Sequence, residues 1–128
     1  MRDLRPVNVK IGNLRGYAAS RVVADGDRLA IQFDSTMGER EAFCVLLEGV
    51  LDFADHGLLR APLTAGIVWR PVGAFGSAVA ARRGVTRVEG LIEMRLDYED
   101  RTGLVCRFQA VAAAARAWEG ALDQVSNS

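Results

Sequence analysis

Residues 88–98 alternate between two faces with a period of two. Val88, Ile92, Met94, Leu96 and Tyr98 fall on one face, and Arg87, Glu89, Glu93, Arg95 and Asp97 on the other. That pattern predicts a long strand with one face in the core and one in water. Glu99-Asp100-Arg101-Thr102-Gly103 reads as a turn, and Leu104, Cys106 and Phe108 alternate with Val105 and Arg107 in a returning strand. A hairpin over 88–98 and 104–109 is only marginally stable alone, so the rest of the chain must supply a surface for its apolar face. This is the strongest constraint on the fold, and it demands an antiparallel, β-rich domain.

Other segments add strands. Val7, Val9 and Ile11 alternate with Asn8 and Lys10. Tyr17 to Val23 and Leu29 to Phe33 flank Asp25-Gly26, a hairpin signal that predicts a type I′ turn. Leu29, Ile31 and Phe33 would share one face. Ile67-Val68-Trp69 before Pro71 predicts a short strand that the proline limits, and residues 73–84 read as a loop that could hold a short strand near Val79. At the end of the chain, Val111, Ala115, Trp118, Leu122 and Val125 make one stripe at helical steps. The alanines there favour a C-terminal helix, with Trp118 docking it on the sheet.

Residues 39–56 carry two patterns. Thr36 and Glu39 fit a capping box, and Phe43, Leu46, Leu47, Val50, Leu51 and Ala54 follow a helical template that Gly57 could terminate. Gly49 opposes this, at about 1 kcal/mol relative to alanine in mid-helix. The competing reading is a strand over 42–47 and another over 49–53. The expected fold is thus α+β, an antiparallel barrel or strongly curved sheet with a C-terminal helix and a possible second helix near 39–56. A chain of 128 residues fits one domain, here an N-terminal β-element over 1–38 and a barrel-like core over 40–125.

Composition narrows the function. Sixteen basic and sixteen acidic residues balance, which disfavours a non-specific nucleic-acid binder. No segment reaches the roughly 20 apolar residues of a membrane span, and no signal peptide is evident. Cys44 and Cys106 lack metal-type spacing and read as reduced small hydrophobes in a cytoplasmic protein. His56 is the single histidine, and no nucleophile elbow, zinc cluster or phosphate-cradling glycine loop occurs. Glu39, Glu41, Asp52, Asp55, Asp97, Glu99 and Asp100 do not by themselves make a glycosidase pair. No catalytic residue, metal or cofactor is therefore assigned, and a binding or regulatory module is expected rather than an enzyme.

One stretch points to a ligand. "VLDFADHGLL" sets Asp52, Ala54 and Gly57 in the spacing D-x-A-x-x-G. A phosphate-bearing nucleotide wants Arg forks, carboxylates for base N–H groups and a glycine for close approach. Asp52 and Gly57 supply two of these, and Arg40 and Arg60 are candidates for the third. With "TAGIVWRP", "VTRVEGLIEMRLDYEDRTGLVCRF" and "QAVAAAARAWEGAL", the region over roughly 40–125 resembles the PilZ family. Members of that family are small β-barrels, many of which bind the second messenger cyclic di-GMP. The resemblance implies a ligand site at Arg40, Asp52, Ala54, Gly57 and Arg60. It departs at the family's R-x-x-x-R, where Cys44 stands four residues after Arg40. If residues 39–56 are helical instead, the element order is similar to that of whirly-type and SsgA-like proteins. That likeness implies an oligomeric adaptor acting through protein partners.

Overall fold

The computed structural model describes residues 14–38 and 40–122. The strand expected over 7–11, Glu39 of the capping box and Val125 of the terminal stripe lie outside the described residues. Two four-stranded antiparallel sheets carry the fold. The first contains β1 (Tyr17–Asp25), β2 (Arg28–Ser35), β3 (Phe43–Glu48) and β8 (Ala114–Glu119), in the order β1-β2-β3-β8. The second contains β4 (Asp52–Ala54), β5 (Val68–Pro71), β6 (Ile92–Glu99) and β7 (Val105–Ala112), in the order β4-β7-β6-β5. Among the described residues one helix, α1 (Ala74–Arg82), follows β5. The antiparallel β-rich expectation holds, but the sheets do not close into a barrel. Among the described residues no helix is long and apolar enough to cross a membrane.

The facing sides of the sheets share one apolar core. Leu29, Ile31 and Phe33 from β2 and Phe43, Val45 and Leu47 from β3 meet Met94, Leu96 and Tyr98 from β6 and Phe108 and Ala110 from β7. The β6–β7 hairpin forms with Tyr98 opposite Cys106 and Leu96 opposite Phe108. Its first strand starts at Ile92, later than the alternation suggests. The β1–β2 hairpin pairs Asp25 with Arg28, so Gly26 and Asp27 are the central residues. Gly26 has φ +61° and Asp27 is not left-handed, which fits a type II′ turn rather than type I′.

Residues 40–56 are not a helix. β3 and β4 occupy this stretch, and Gly49 between them has φ +64°. The helical spacing arises because β3 is buried on both faces. Phe43, Val45 and Leu47 face the core, while Cys44 and Leu46 face a second cluster with Trp118 and Leu122. Five consecutive buried residues satisfy a helical template as well as a strand template. The element order that resembled whirly-type proteins is therefore absent.

The expected C-terminal helix does not form over its described part either, since residues 111–122 contain no helix. β7 ends at Ala112, and the chain passes through Ala113 into β8, which pairs with β3 from Phe43↔Glu119 to Glu48↔Ala114. Pairing with the free edge of β3 outweighs the helix preference of the alanines, because tertiary context overrides intrinsic propensity. Their small side chains also suit the corner where β3–β4 and β7–β8 both leave one sheet for the other. A Cβ on Gly49 would lie 2.8 Å from Ala113 Cβ.

Residues 73–84 are not a loop but contain α1. Gly76, Val79 and Ala80 form its buried face. Its end is a Schellman motif, with Val85 N–H donating to Ala80 O at 2.9 Å and Gly84 N–H to Ala81 O at 3.2 Å. Sequence alone hides this helix because Gly73 and Gly76 punctuate it. Gly76 is required by packing, since a Cβ there would lie 2.6 Å from Val72 Cγ1 and 3.2 Å from Val111 Cγ2.

Candidate functional site

The outer face of the second sheet explains two acidic residues. The registers place Asp52, Val111, Glu93 and Arg70 in one row across β4, β7, β6 and β5. Helix α1 covers this row. At its N-terminal end Glu93 Oε1 accepts the Gly76 N–H at 2.9 Å, and Glu93 Oε2 lies 3.9 Å from Arg70 Nε. At its C-terminal end Arg82 lies 3.8 Å from Asp52 Oδ2. Glu93, expected on the solvated face of its strand, is only 2% exposed, because α1 covers that face. A carboxylate at a helix N-terminus both satisfies an orphan N–H and meets the positive end of the helix dipole.

This arrangement makes Glu93 a structural residue with a measurable effect. Glu93→Ala is expected to destabilise the protein by about 2–3 kcal/mol, because a buried N–H loses a charged acceptor. Glu93→Gln should lose about 1 kcal/mol or less, since the amide oxygen can still accept and the half-exposed pair with Arg70 is weak. Urea midpoints of the two variants measure this. Equal losses would show that the charge, not the acceptor, is what matters.

The candidate ligand residues divide among three places. Arg40 is folded back on the protein. Its guanidinium donates to Arg15 O at 2.6 Å and stacks over the Tyr17 ring at 4.3 Å. Asp52 and Ala54 lie on β4, with Asp52 Oδ1 accepting the Phe53 N–H at 2.8 Å. Gly57 and Arg60 line a cleft. It is an open groove of about 950 Å³, also bordered by His56, Leu59, Ala61, Pro62, Glu99 and Arg101. This volume lies at the upper end of ordinary small-molecule sites, about 300–1,000 Å³.

Two aspartate-built turns form its walls. Asp55 Oδ1 accepts the N–H groups of Gly57 and Leu58 at 3.0 and 2.8 Å. Asp100 Oδ1 accepts from Thr102 Oγ1 at 2.6 Å, Thr102 N at 2.8 Å and Leu104 N at 3.0 Å. The Thr102 hydroxyl, with these backbone donors, holds the Asp100 carboxyl below its ordinary range. The walls are tied together, because Glu99 N–H donates to Pro62 O at 3.0 Å and Leu63 bridges to Tyr98. Arg60 N–H donates to Ala19 O at 2.7 Å. Arg60 is left-handed, with φ +65°, the one such non-glycine among the described residues. A conformation of this kind costs about 1–2 kcal/mol, and it persists because the flanking bonds hold it.

Beneath the groove Tyr98 is fully buried, and its hydroxyl makes no complete hydrogen bond, although the His56 backbone faces it. Burial raises the Tyr98 pKa, as it does that of the neighbouring Cys106 thiol, with Asp100 adding to the latter. Cys44 is buried, its thiol donating to Gly120 O at 3.3 Å, and Cys106 is half-buried. No group of three or more His, Cys, Asp or Glu residues that could hold a metal is found among the described residues.

The groove's second arginine, Arg101, carries no ligand signal in the sequence. It lies about forty positions from Arg60 in a stretch that reads only as a turn, and nothing local shows that the two loops meet. Compared with known proteins, the chain matches no family model, no curated protein and no solved structure.

Proposed function

We propose that this protein is a non-enzymatic regulatory module that binds an anionic nucleotide, cyclic di-GMP foremost, in the groove between residues 56–62 and 99–102. One observation carries the reading. Arg60 and Arg101 come from separate loops to line the same groove, and neither has an ion pair among the described residues. Unpaired guanidiniums beside Leu59, Ala61 and Pro62 suit a ligand with phosphates and flat apolar rings. The resemblance of "VLDFADHGLL" to the PilZ turn supports the same ligand, with Gly57 and Arg60 as its contact residues. Arg40 and Asp52 leave the binding set, since each has a partner elsewhere. A cytoplasmic location and a protein partner that senses the loaded state belong to the same proposal.

Calorimetric titration tests it. The wild-type protein is expected to bind cyclic di-GMP at micromolar concentration or tighter, about −8 kcal/mol or more favourable. Arg60→Ala and Arg101→Ala should each weaken binding by about 1.5–3 kcal/mol, the value of a charge-assisted hydrogen bond. Arg40→Ala and Asp52→Ala should leave affinity unchanged. Absence of heat with ligand in excess, or equal losses in all four variants, would refute this site.

A further inference from the structure

Glu99 is one of two carboxylates, with Asp100, that line the groove beside its two arginines. It lines the cleft with Arg60 and Arg101, yet it has no ion pair or side-chain hydrogen bond among the described residues. The neighbouring Asp100 differs, because its carboxylate is engaged in its own turn. The Glu99 backbone is fixed on both sides. Its N–H is bound to Pro62 O, and it pairs with Val105 at the end of β6. A site for phosphate alone gains nothing from a free carboxylate, which repels the ligand. A ligand that offers N–H donors as well as negative charge turns the same carboxylate into an acceptor.

We propose that Glu99 is the specificity-determining residue of the groove, selecting nucleotides whose base presents two adjacent N–H donors, as guanine does. This inference rests on the nucleotide-binding reading of the groove. A carboxylate has two oxygens and accepts the ring N–H and the exocyclic amino group of guanine side by side. Adenine offers an amino group beside a ring nitrogen lone pair, so one carboxylate oxygen would face another acceptor. Arg60 and Arg101 hold the phosphates of either nucleotide, and Glu99 discriminates between the bases.

The experiment is calorimetric titration of wild type, Glu99→Gln and Glu99→Ala with cyclic di-GMP and cyclic di-AMP at one salt concentration. Glu99 is exposed, and circular dichroism of each variant checks that the fold is kept. Wild type is expected to prefer cyclic di-GMP by about 10–100-fold, the value of a hydrogen bond to a charged group. Both variants should lose most of that preference through weaker cyclic di-GMP binding, with cyclic di-AMP affinity unchanged or improved. Equal binding of the two nucleotides by wild type would overturn the role of Glu99 and leave the groove standing. Survival of the preference in both variants would overturn that role in the same way. Binding of neither nucleotide would overturn the groove reading and this inference together.

Discussion

Phe43→Ala is expected to destabilise the protein by about 3–5 kcal/mol, the range for a large aromatic removed from a packed core. Phe43 is fully buried, stacked on Phe33 at a centroid distance of 4.9 Å and edge-on to Tyr17 at 5.4 Å. Removing the ring opens a cavity lined by two other aromatics. It also frees Tyr17, whose hydroxyl donates to Glu41 O and whose ring carries Arg40. Phe43 belongs to the middle of the first sheet, where β3 pairs with both β2 and β8, so the surroundings collapse poorly. A fall in melting temperature of more than about 10 °C should follow. Phe43→Leu keeps most of the volume and should cost less than about 1.5 kcal/mol. Thermal melts of both variants decide it. Equal, small losses would mean that this aromatic cluster does not hold the sheets together.

Trp118→Ala should lose nearly as much, about 3 kcal/mol, near the low end of the range for this substitution. The indole is buried on the outer face of the first sheet against Cys44, Leu46 and Leu122. There the chain after β8 folds back, with Gly120 N–H bound to Ala42 O and Leu122 N–H to Gln32 Oε1. The loss is moderated because the Trp118 indole N–H has no partner, so truncation also removes an unsatisfied donor. Trp118→Phe separates the two effects. It keeps an aromatic ring and drops the orphan N–H, and it is expected to stay within about 1 kcal/mol of wild type. Denaturant midpoints measure both. A Trp118→Ala variant as stable as wild type would show that the outer cluster contributes nothing to folding.

Phe43 and Trp118 also show where sequence reasoning succeeds and where it fails. Burial of Trp118 is legible from its type and its apolar neighbours, but the element that carries it is not. The spacing of Val111, Ala115, Trp118 and Leu122 suits a helix, and the alanines between them favour one. No local signal reveals that β3 has a free edge. Likewise Phe43 to Leu47 reads as part of a helix because β3 buries both faces and loses the alternation that identifies a half-exposed strand. For the candidate site, Gly57 and Arg60 are legible as part of one turn. The approach of Arg101 and Glu99 to that turn, and the placement of Arg40 and Asp52 outside the groove lining, are not, because they depend on which loops fold together.

Local pattern specifies the half-buried strands and their turns. The alternation of Ile92 to Tyr98, the shared face of Leu29, Ile31 and Phe33, and the glycine between β1 and β2 define two hairpins through short-range geometry. The remaining features arise from long-range packing. Strand pairing overrides helix propensity in β8, burial on both faces erases the period of β3, and the cover of α1 draws Glu93 out of water. The groove walls are joined by long-range contacts such as the Glu99 N–H to Pro62 O bond and the Leu63–Tyr98 bridge, and contacts of that range leave no trace in neighbouring residues.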